Sequence, residues 1–184
     1  MAEVYISIGS NVERERHIGL ALRRLRQRYG RLRLSSIYES DAVGFEGEPF
    51  YNVAAGLESD QSPSELVRVF RAIEMECGRS RGSSRYGPRT LDLDLLLYGD
   101  LVCDQKFTLP RDEITRYAFV LRPLSEIAGD LRHPVIGKTM GELWAQFEDP
   151  GQPTRRLPLS IETLQAKAGR PYTTDPAGAT RGCE

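Results

Sequence analysis

Two kinds of hydrophobic spacing alternate through the first half of the chain, and their order restricts the fold more than any other feature. Apolar residues at every second position predict strands over 4–9, 32–40, 50–57 and 90–98, and helical spacing predicts helices over 13–29 and 62–77. The order strand–helix–strand–strand–helix–strand matches the split βαβ arrangement of a ferredoxin-like sheet. We therefore expect an α+β sandwich with a mainly antiparallel sheet, helices on both faces and the apolar last strand at its centre.

The second predicted helix has a strong start signal. Ser62 is a preferred N-cap residue, Pro63 suits the first turn, and Glu65 is placed to complete a capping box.

In the C-terminal part of the chain, helical spacing returns weakly over 117–127 and 140–147. Five of the eleven prolines lie from Pro150 onward, where no apolar periodicity is present. We therefore predict one domain over 1–149 and an extended or disordered tail over 150–184, with a strap on the domain surface as the alternative.

The composition argues against several classes of protein. Of 184 residues, 25 are Lys or Arg and 26 are Asp or Glu, so the net charge of −1 gives no general attraction to nucleic acid or anionic lipid. The longest apolar stretch, 117–121, is far too short to cross a membrane. Three cysteines without CxxC spacing and two histidines disfavour a zinc site. We expect a cytoplasmic monomer that binds neither nucleic acid nor membrane.

One segment combines cationic and anionic groups in a pattern typical of phosphate chemistry. Between Gly78 and Asp94 the chain holds four arginines among glycines and serines, followed by Asp92 and Asp94 in the last predicted strand. Arginine binds two phosphate oxygens at once and stays charged, and the glycines and serines predict a mobile loop. Period two places both carboxylates on one face of the strand and Leu91, Leu93, Leu95 and Leu97 on the other.

Two adjacent carboxylates repel each other unless a cation lies between them, and Mg²⁺ is the natural choice. Carboxylates for Mg²⁺ beside arginines for phosphate are the minimal parts of a phosphoryl or pyrophosphoryl transfer site. The alternative is an amphipathic strand whose polar side faces solvent, with the arginines as surface partners. No G-x-x-x-x-G-K-[ST] loop is present, so the chain is not a P-loop NTPase.

Three motifs of the chain are distinctive: Ile8-Gly9-Ser10-Asn11, Phe50-Tyr51-Asn52 and the highly specific string from Arg85 to Asp94, R-Y-G-P-R-T-L-D-L-D. Together they resemble the motifs of the 6-hydroxymethyl-7,8-dihydropterin pyrophosphokinases of folate synthesis. The resemblance covers about Val4 to Leu124 and implies a ferredoxin-like α+β fold. It also implies Mg-dependent transfer of pyrophosphate from ATP to the hydroxymethyl group of the pterin, with release of AMP.

The resemblance assigns roles to residues on the nucleotide side. It implies that Asp92 and Asp94 hold two Mg²⁺ ions and that Arg79 and Arg89 are catalytic arginines that steady the transferring phosphates. The remaining nucleotide-binding residues implied are Arg71, Glu74, Arg81, Arg85, Tyr86, Leu95, Lys106, Thr108 and Arg111.

The resemblance also implies a pterin site. Phe50 and Phe119 would stack on the two faces of the ring, Asn52 would bind its polar edge, and Gly9, Ser40 and Val43 would lie beside it. By sequence alone, the two phenylalanines are equally compatible with core packing.

Two other functions stay open. The residues Ala42, Arg111 and Tyr117 differ from those usual in the family, which allows a diverged enzyme acting on a related pterin. A module that binds pterin or nucleotide without catalysis is the other alternative. The intact pair of Asp92 and Asp94 argues against it, because paired acids without a metal reduce stability.

Overall fold

The computed structural model describes residues 1–44, 46–78, 90–104, 107–148 and 151–168. Its strands are β1 (Ala2–Ser10), β2 (Arg33–Leu34), β3 (Tyr38–Ser40), β4 (Phe50–Ser59), β5 (Asp92–Tyr98) and β6 (Thr154–Arg156). Its helices are α1 (Arg14–Tyr29), α2 (Pro63–Glu76), α3 (Glu113–Arg116), α4 (Ala118–Ile127), α5 (Met140–Ala145) and α6 (Ile161–Lys167). None of the helices in these ranges combines the length and the apolar character that crossing a membrane requires.

The strands form one antiparallel sheet in the order β5-β1-β4-β3-β6, with β2 also paired to β4. Strand β4 lies between β1 and the β2–β3 segment, and β1 lies between β4 and β5, so each βαβ unit is split by a strand of the other. The predicted ferredoxin-like α+β class is therefore confirmed. The single strand predicted over 32–40 is two short strands, because the Ser35 side chain accepts the hydrogen bond of the Ala54 amide (2.9 Å) between them.

Two hydrophobic clusters cover the two faces of the sheet. Helices α1 and α2 pack on one face, where Ile18, Leu22, Leu66 and Phe70 are essentially inaccessible to solvent. Helices α4 and α5 pack on the other face in a smaller cluster. The predicted start of α2 is confirmed: Ser62 donates its amide (2.8 Å) and its hydroxyl (2.7 Å) to the Glu65 carboxylate. These hydrogen bonds lower the pKa of Glu65 below its ordinary value.

Strand β5 is at the edge of the sheet, so the predicted central position is wrong. Its many apolar residues are explained by the burial of both faces of the strand, and not by pairing with another strand on each side. The outer edge is covered by other groups: the Glu74 carboxylate accepts the Leu93 amide (2.8 Å), and the Arg111 amide donates to the Leu96 carbonyl (2.9 Å). Both contacts satisfy backbone groups that an edge strand would otherwise leave to water.

A β-bulge in β5 changes which face its later residues occupy. The register passes from Ile6–Leu95 to Tyr5–Leu97, so Leu96 is the extra residue. Leu91, Leu93 and Leu95 lie in the α1–α2 cluster, as the period of two predicts. Leu97 lies in the α4–α5 cluster, so its predicted face is wrong.

The C-terminal residues 151–168 contain secondary structure that the sequence does not reveal. Strand β6 pairs with β3, and α6 packs against α1 with Leu164 fully buried. This differs from the predicted extended or disordered tail. The helix has about two turns and one buried leucine, which is too little for a periodic pattern, and prolines precede it. The domain boundary at Pro150 stays a prediction.

The close contact of α6 with α1 depends on Gly19. A β-carbon at this position would lie 2.1 Å from the Leu164 carbonyl oxygen, a backbone atom that cannot move alone. Gly19→Ala should therefore lower the free energy of unfolding by about 1–3 kcal/mol through overpacking. If α6 did not pack on α1, Gly19→Ala would instead raise the free energy of unfolding, because alanine stabilises a helix relative to glycine by about 1 kcal/mol. Urea denaturation of both proteins measures the difference, and a stabilised variant would contradict the docking.

Candidate active site

A row of residues crosses the sheet on the face opposite α1 and α2. Asp92 pairs with Gly9, Gly9 with Asn52, and Asn52 with Tyr38, so their side-chain positions share one face. Helix α4 covers the other end of this face, where the α4–α5 cluster includes Tyr5. Asp92 and Gly9 are half-buried, and Asp92 lines a cavity at the edge of the sheet, whereas Asn52 and Tyr38 are buried. Asn52 binds Ser40, which lines a second cavity.

Asp92 and Asp94 lie at neighbouring positions of this face, as their spacing predicts. Both are half-buried, and both line the same cavity. Two oxygen-donor carboxylates on one cavity wall fit Mg²⁺, which binds one or two carboxylates and completes its shell with phosphate and water. Within the described ranges, no three acidic, histidine or cysteine side chains form a group that could hold a metal.

The cavity at the outer edge of β5 has a volume of about 230 Å³. The structure brings together there seven of the residues predicted for nucleotide and metal: Arg71, Glu74, Asp92, Asp94, Leu95, Thr108 and Arg111. Two of them also have structural roles. Glu74 is buried and binds the Leu93 amide, and the Leu95 side chain packs in the α1–α2 cluster, so a nucleotide would meet its backbone. Phe107 also lines this cavity and was not predicted.

Arg111 forms ion pairs with two acidic side chains, one of which is Asp94 of the carboxylate pair. Its Nη2 lies 2.8 Å from Oδ1 of Asp94, and its Nε lies 3.1 Å from Oε2 of Glu113. All three side chains are about one-third exposed. Arg111 therefore neutralises part of the charge at Asp94 from the protein side. Glu113 was missed by the sequence reasoning, because no local pattern distinguishes it from a surface acid at the start of a helix.

The second cavity, of about 280 Å³, lies between the loop after β3, the start of α4 and the chain before β6. It is lined by three predicted residues, Ser40, Val43 and Phe119, and by the unpredicted residues 151–154. Phe119 stacks on Tyr117 with ring centroids 5.0 Å apart and an interplanar angle of 18°. One flat aromatic face is thus already built into the wall.

Asn52 is buried next to this cavity with a defined orientation. Its Nδ2 donates to the Ser40 hydroxyl at 2.9 Å, and Ser40 pairs with Phe50 across β3 and β4. A β-carbon on Gly9 would lie 3.7 Å from Oδ1 of Asn52 and 3.8 Å from the Phe50 ring. The absence of a side chain at Gly9 therefore leaves space beside both groups. Phe50, Asn52 and Gly9 lie together, but none of the three is among the residues that line the second cavity.

Several predicted residues lie outside the described ranges. They are Arg79, Arg81, Arg85, Tyr86, Arg89 and Lys106.

Known proteins similar to this chain identify its family. The family model described as 7,8-dihydro-6-hydroxymethylpterin-pyrophosphokinase (HPPK) matches residues 5–129. The 2-amino-4-hydroxy-6-hydroxymethyldihydropteridine pyrophosphokinase of Pseudomonas aeruginosa is 40% identical over 164 residues, covering 84% of this chain and 96% of the relative. The protein of the same name from Synechocystis is 42% identical over 141 residues, covering 74% and 72%.

Solved structures support the fold. The chain superposes on a Plasmodium falciparum HPPK-DHPS triple mutant crystallised with STZ-DHP with a TM-score of 0.64 and 11% identity. The superposition covers 79% of this chain and 43% of the solved chain, so it spans less than half of that protein. Because the family model matches more than half of the chain and the relatives match most of it, the chain belongs to the 7,8-dihydro-6-hydroxymethylpterin pyrophosphokinase family.

Proposed function

We infer that the chain transfers pyrophosphate from ATP to the hydroxymethyl group of 6-hydroxymethyl-7,8-dihydropterin, a reaction of folate biosynthesis. Family membership supports this activity, and ATP is the co-substrate. One structural observation supports it most directly. A single row, from Asp92 through Gly9 to Asn52, joins a carboxylate-lined cavity to an aromatic and amide site on the same sheet face.

In the reaction, the pterin hydroxyl oxygen forms a bond to the β-phosphorus of ATP. The bond from that phosphorus to the oxygen bridging to the α-phosphate breaks, AMP leaves, and the hydroxyl proton passes to water. We propose that Asp92 and Asp94 hold two Mg²⁺ ions. When bound, Mg²⁺ neutralises phosphate charge and lowers the pKa of the attacking hydroxyl. The side chain of Arg71 in the same cavity would bind phosphate.

The pterin would bind in the second cavity and along the polar row. A pterin ring presents N–H donors on one edge, and the acceptor Oδ1 of Asn52 lies beside Gly9 where it could receive them. Because Nδ2 of Asn52 is held by Ser40, the amide has its acceptor available for the ligand. Phe50 and Phe119 would stack on the two faces of the ring.

Residues outside the described ranges receive roles from the family resemblance alone. Arg79 and Arg89 would steady the transferring phosphates, and Arg81, Arg85, Tyr86 and Lys106 would bind the nucleotide. The cytoplasmic setting, the monomeric state and the independence from nucleic acid stay predictions.

The decisive experiment supplies ATP, Mg²⁺ and 6-hydroxymethyl-7,8-dihydropterin to the purified chain and separates the nucleotide products. AMP is expected, whereas ADP or unchanged ATP would contradict the proposal. A panel of pterins with other side chains tests the diverged enzyme: faster turnover of one of them would favour it. Pterin or nucleotide binding without any AMP would favour the non-catalytic module.

Arg111 should compete with Mg²⁺ for Asp94. An ion pair that is one-third exposed contributes about 0.2–1 kcal/mol, so Arg111→Gln should raise the affinity for a divalent cation about 1.4- to fivefold without nucleotide. Mn²⁺ is the probe for this site, and its affinity is measured by titration followed by electron paramagnetic resonance. Arg24→Gln is the matched control, because it removes an arginine–carboxylate pair (2.7 Å to Glu76) from the opposite side of the sheet. Equal affinities in Arg111→Gln and the wild type would show that no competition exists.

A further inference from the structure

Residues 151–168, here called the C-terminal strap, connect the second cavity to the far side of the sheet. Residues 151–154 line the cavity that contains Phe119, and β6 then extends the sheet beside β3. The strap ends in α6, which packs on α1 with Leu164 fully buried against Gly19. The strap is therefore fixed at one end by core packing and reaches the ligand cavity at the other.

Gln152 is the residue of the strap that contacts the start of α4. Its Oε1 accepts the Ala118 amide at 3.0 Å, and its Nε2 donates to the Arg116 carbonyl at 3.0 Å. Arg116 is the last residue of α3, and Ala118 is the first residue of α4. Backbone groups at helix ends lack partners within the helix, so one side chain satisfies two groups at this junction.

The intervening residue, Tyr117, cannot perform this function itself. It is the N-cap residue of α4 and makes no side-chain capping hydrogen bond. A tyrosine lacks the short oxygen-bearing side chain that normally caps a helix. The cap is instead supplied by Gln152, which is distant in sequence.

Additional contacts hold the strap next to Gln152. Nη1 of Arg122, one helical turn further along α4, donates to the Thr154 carbonyl (2.5 Å) and hydroxyl (2.9 Å). The Leu157 amide donates to the Ile37 carbonyl at 2.8 Å. The strap and α4 are thus joined at two points, on either side of Phe119.

We propose that Gln152 is a positioning residue for the pterin site: by capping α4 it fixes the orientation in which Phe119 presents its ring to the cavity. Phe119 is the second residue of α4, so any change in the start of the helix moves its ring directly. The inference rests on the proposed function and goes beyond it by assigning pterin affinity to a segment outside the matched family region, 5–129. The nucleotide cavity has no strap residue in its lining and should be unaffected.

The test compares Gln152→Leu with Gln165→Leu. Both substitutions remove a glutamine amide of the strap, but Gln165 binds Arg26 (2.7 Å) on α1 and is absent from the cavity lining. Binding of 6-hydroxymethyl-7,8-dihydropterin is measured with a non-hydrolysable ATP analogue and Mg²⁺ present. We expect the pterin Kd to rise about tenfold in Gln152→Leu, equivalent to about 1.4 kcal/mol. The nucleotide Kd should change less than about twofold, and Gln165→Leu should leave both constants unchanged.

Hydrogen exchange without ligand gives a second readout. The Ala118, Val120 and Leu121 amides, which are hydrogen-bonded at the start of α4, should exchange faster in Gln152→Leu, whereas amides in α1 and α2 should not. An unchanged pterin Kd, or an equal loss of pterin and nucleotide affinity, would overturn the inference while leaving the proposed function intact. Wild-type protein that binds no dihydropterin would overturn the proposed function and this inference together.

Discussion

Asp92→Asn and Asp94→Asn should each slow AMP formation by about a thousandfold or more. Each substitution keeps the volume of the side chain but removes a negative charge and weakens an oxygen ligand for Mg²⁺. Loss of about 4 kcal/mol of charge stabilisation in the transition state corresponds to this factor. Initial rates of AMP release, measured at saturating ATP and pterin, give the comparison.

Two further measurements make the result specific to the carboxylate pair. Asp100→Asn changes an exposed aspartate in the turn directly after the same strand, and its rate should stay close to that of the wild type. The pterin Kd should change little in Asp92→Asn and Asp94→Asn, because β1 separates these residues from Asn52. Turnover within tenfold of the wild type in both variants would exclude these carboxylates as the Mg²⁺ ligands.

Phe119→Ala should raise the Kd of the dihydropterin about a hundredfold. Truncation of a central aromatic contact in a binding site costs about 2–4 kcal/mol, and Phe119 forms the aromatic wall of the second cavity. Phe119→Leu should cause a smaller loss, because leucine keeps part of the apolar area without the flat ring face. Isothermal titration calorimetry in the presence of an ATP analogue measures all three proteins.

The control for this prediction is Phe147→Ala. Phe147 is also half-buried, packs against the α4–α5 cluster and stacks on Trp144 (5.8 Å), but it does not line the cavity. Its substitution should reduce stability and leave pterin affinity near the wild-type value. If both phenylalanine variants lose affinity equally, the effect is a general loosening of the cluster and Phe119 has no special contact with the pterin.

Arg111 and Gln152 illustrate which parts of the site local patterns could not predict. Arg111 was predicted as a nucleotide contact, but its bond to Asp94 requires that the 107–111 segment cover the edge of β5. Gln152 lies in a proline-rich stretch without periodicity, and its role depends on a helix junction over thirty residues earlier in the chain. Neither contact has a signature in neighbouring residues, since both join segments that are distant in sequence.

The amino-acid sequence by itself determined the alternation of strands and helices from β1 to β5, the N-cap of α2 at Ser62, and the common face of Asp92 and Asp94. These features follow from side-chain periodicity and capping, which involve residues within a few positions of each other. Only the tertiary structure decided that β5 is an edge strand, that its bulge moves Leu97 to the other face, and that the C-terminal strap completes the second cavity. The physical reason is that lateral pairing and helix docking depend on the total free energy of contacts between remote segments, which no local pattern encodes.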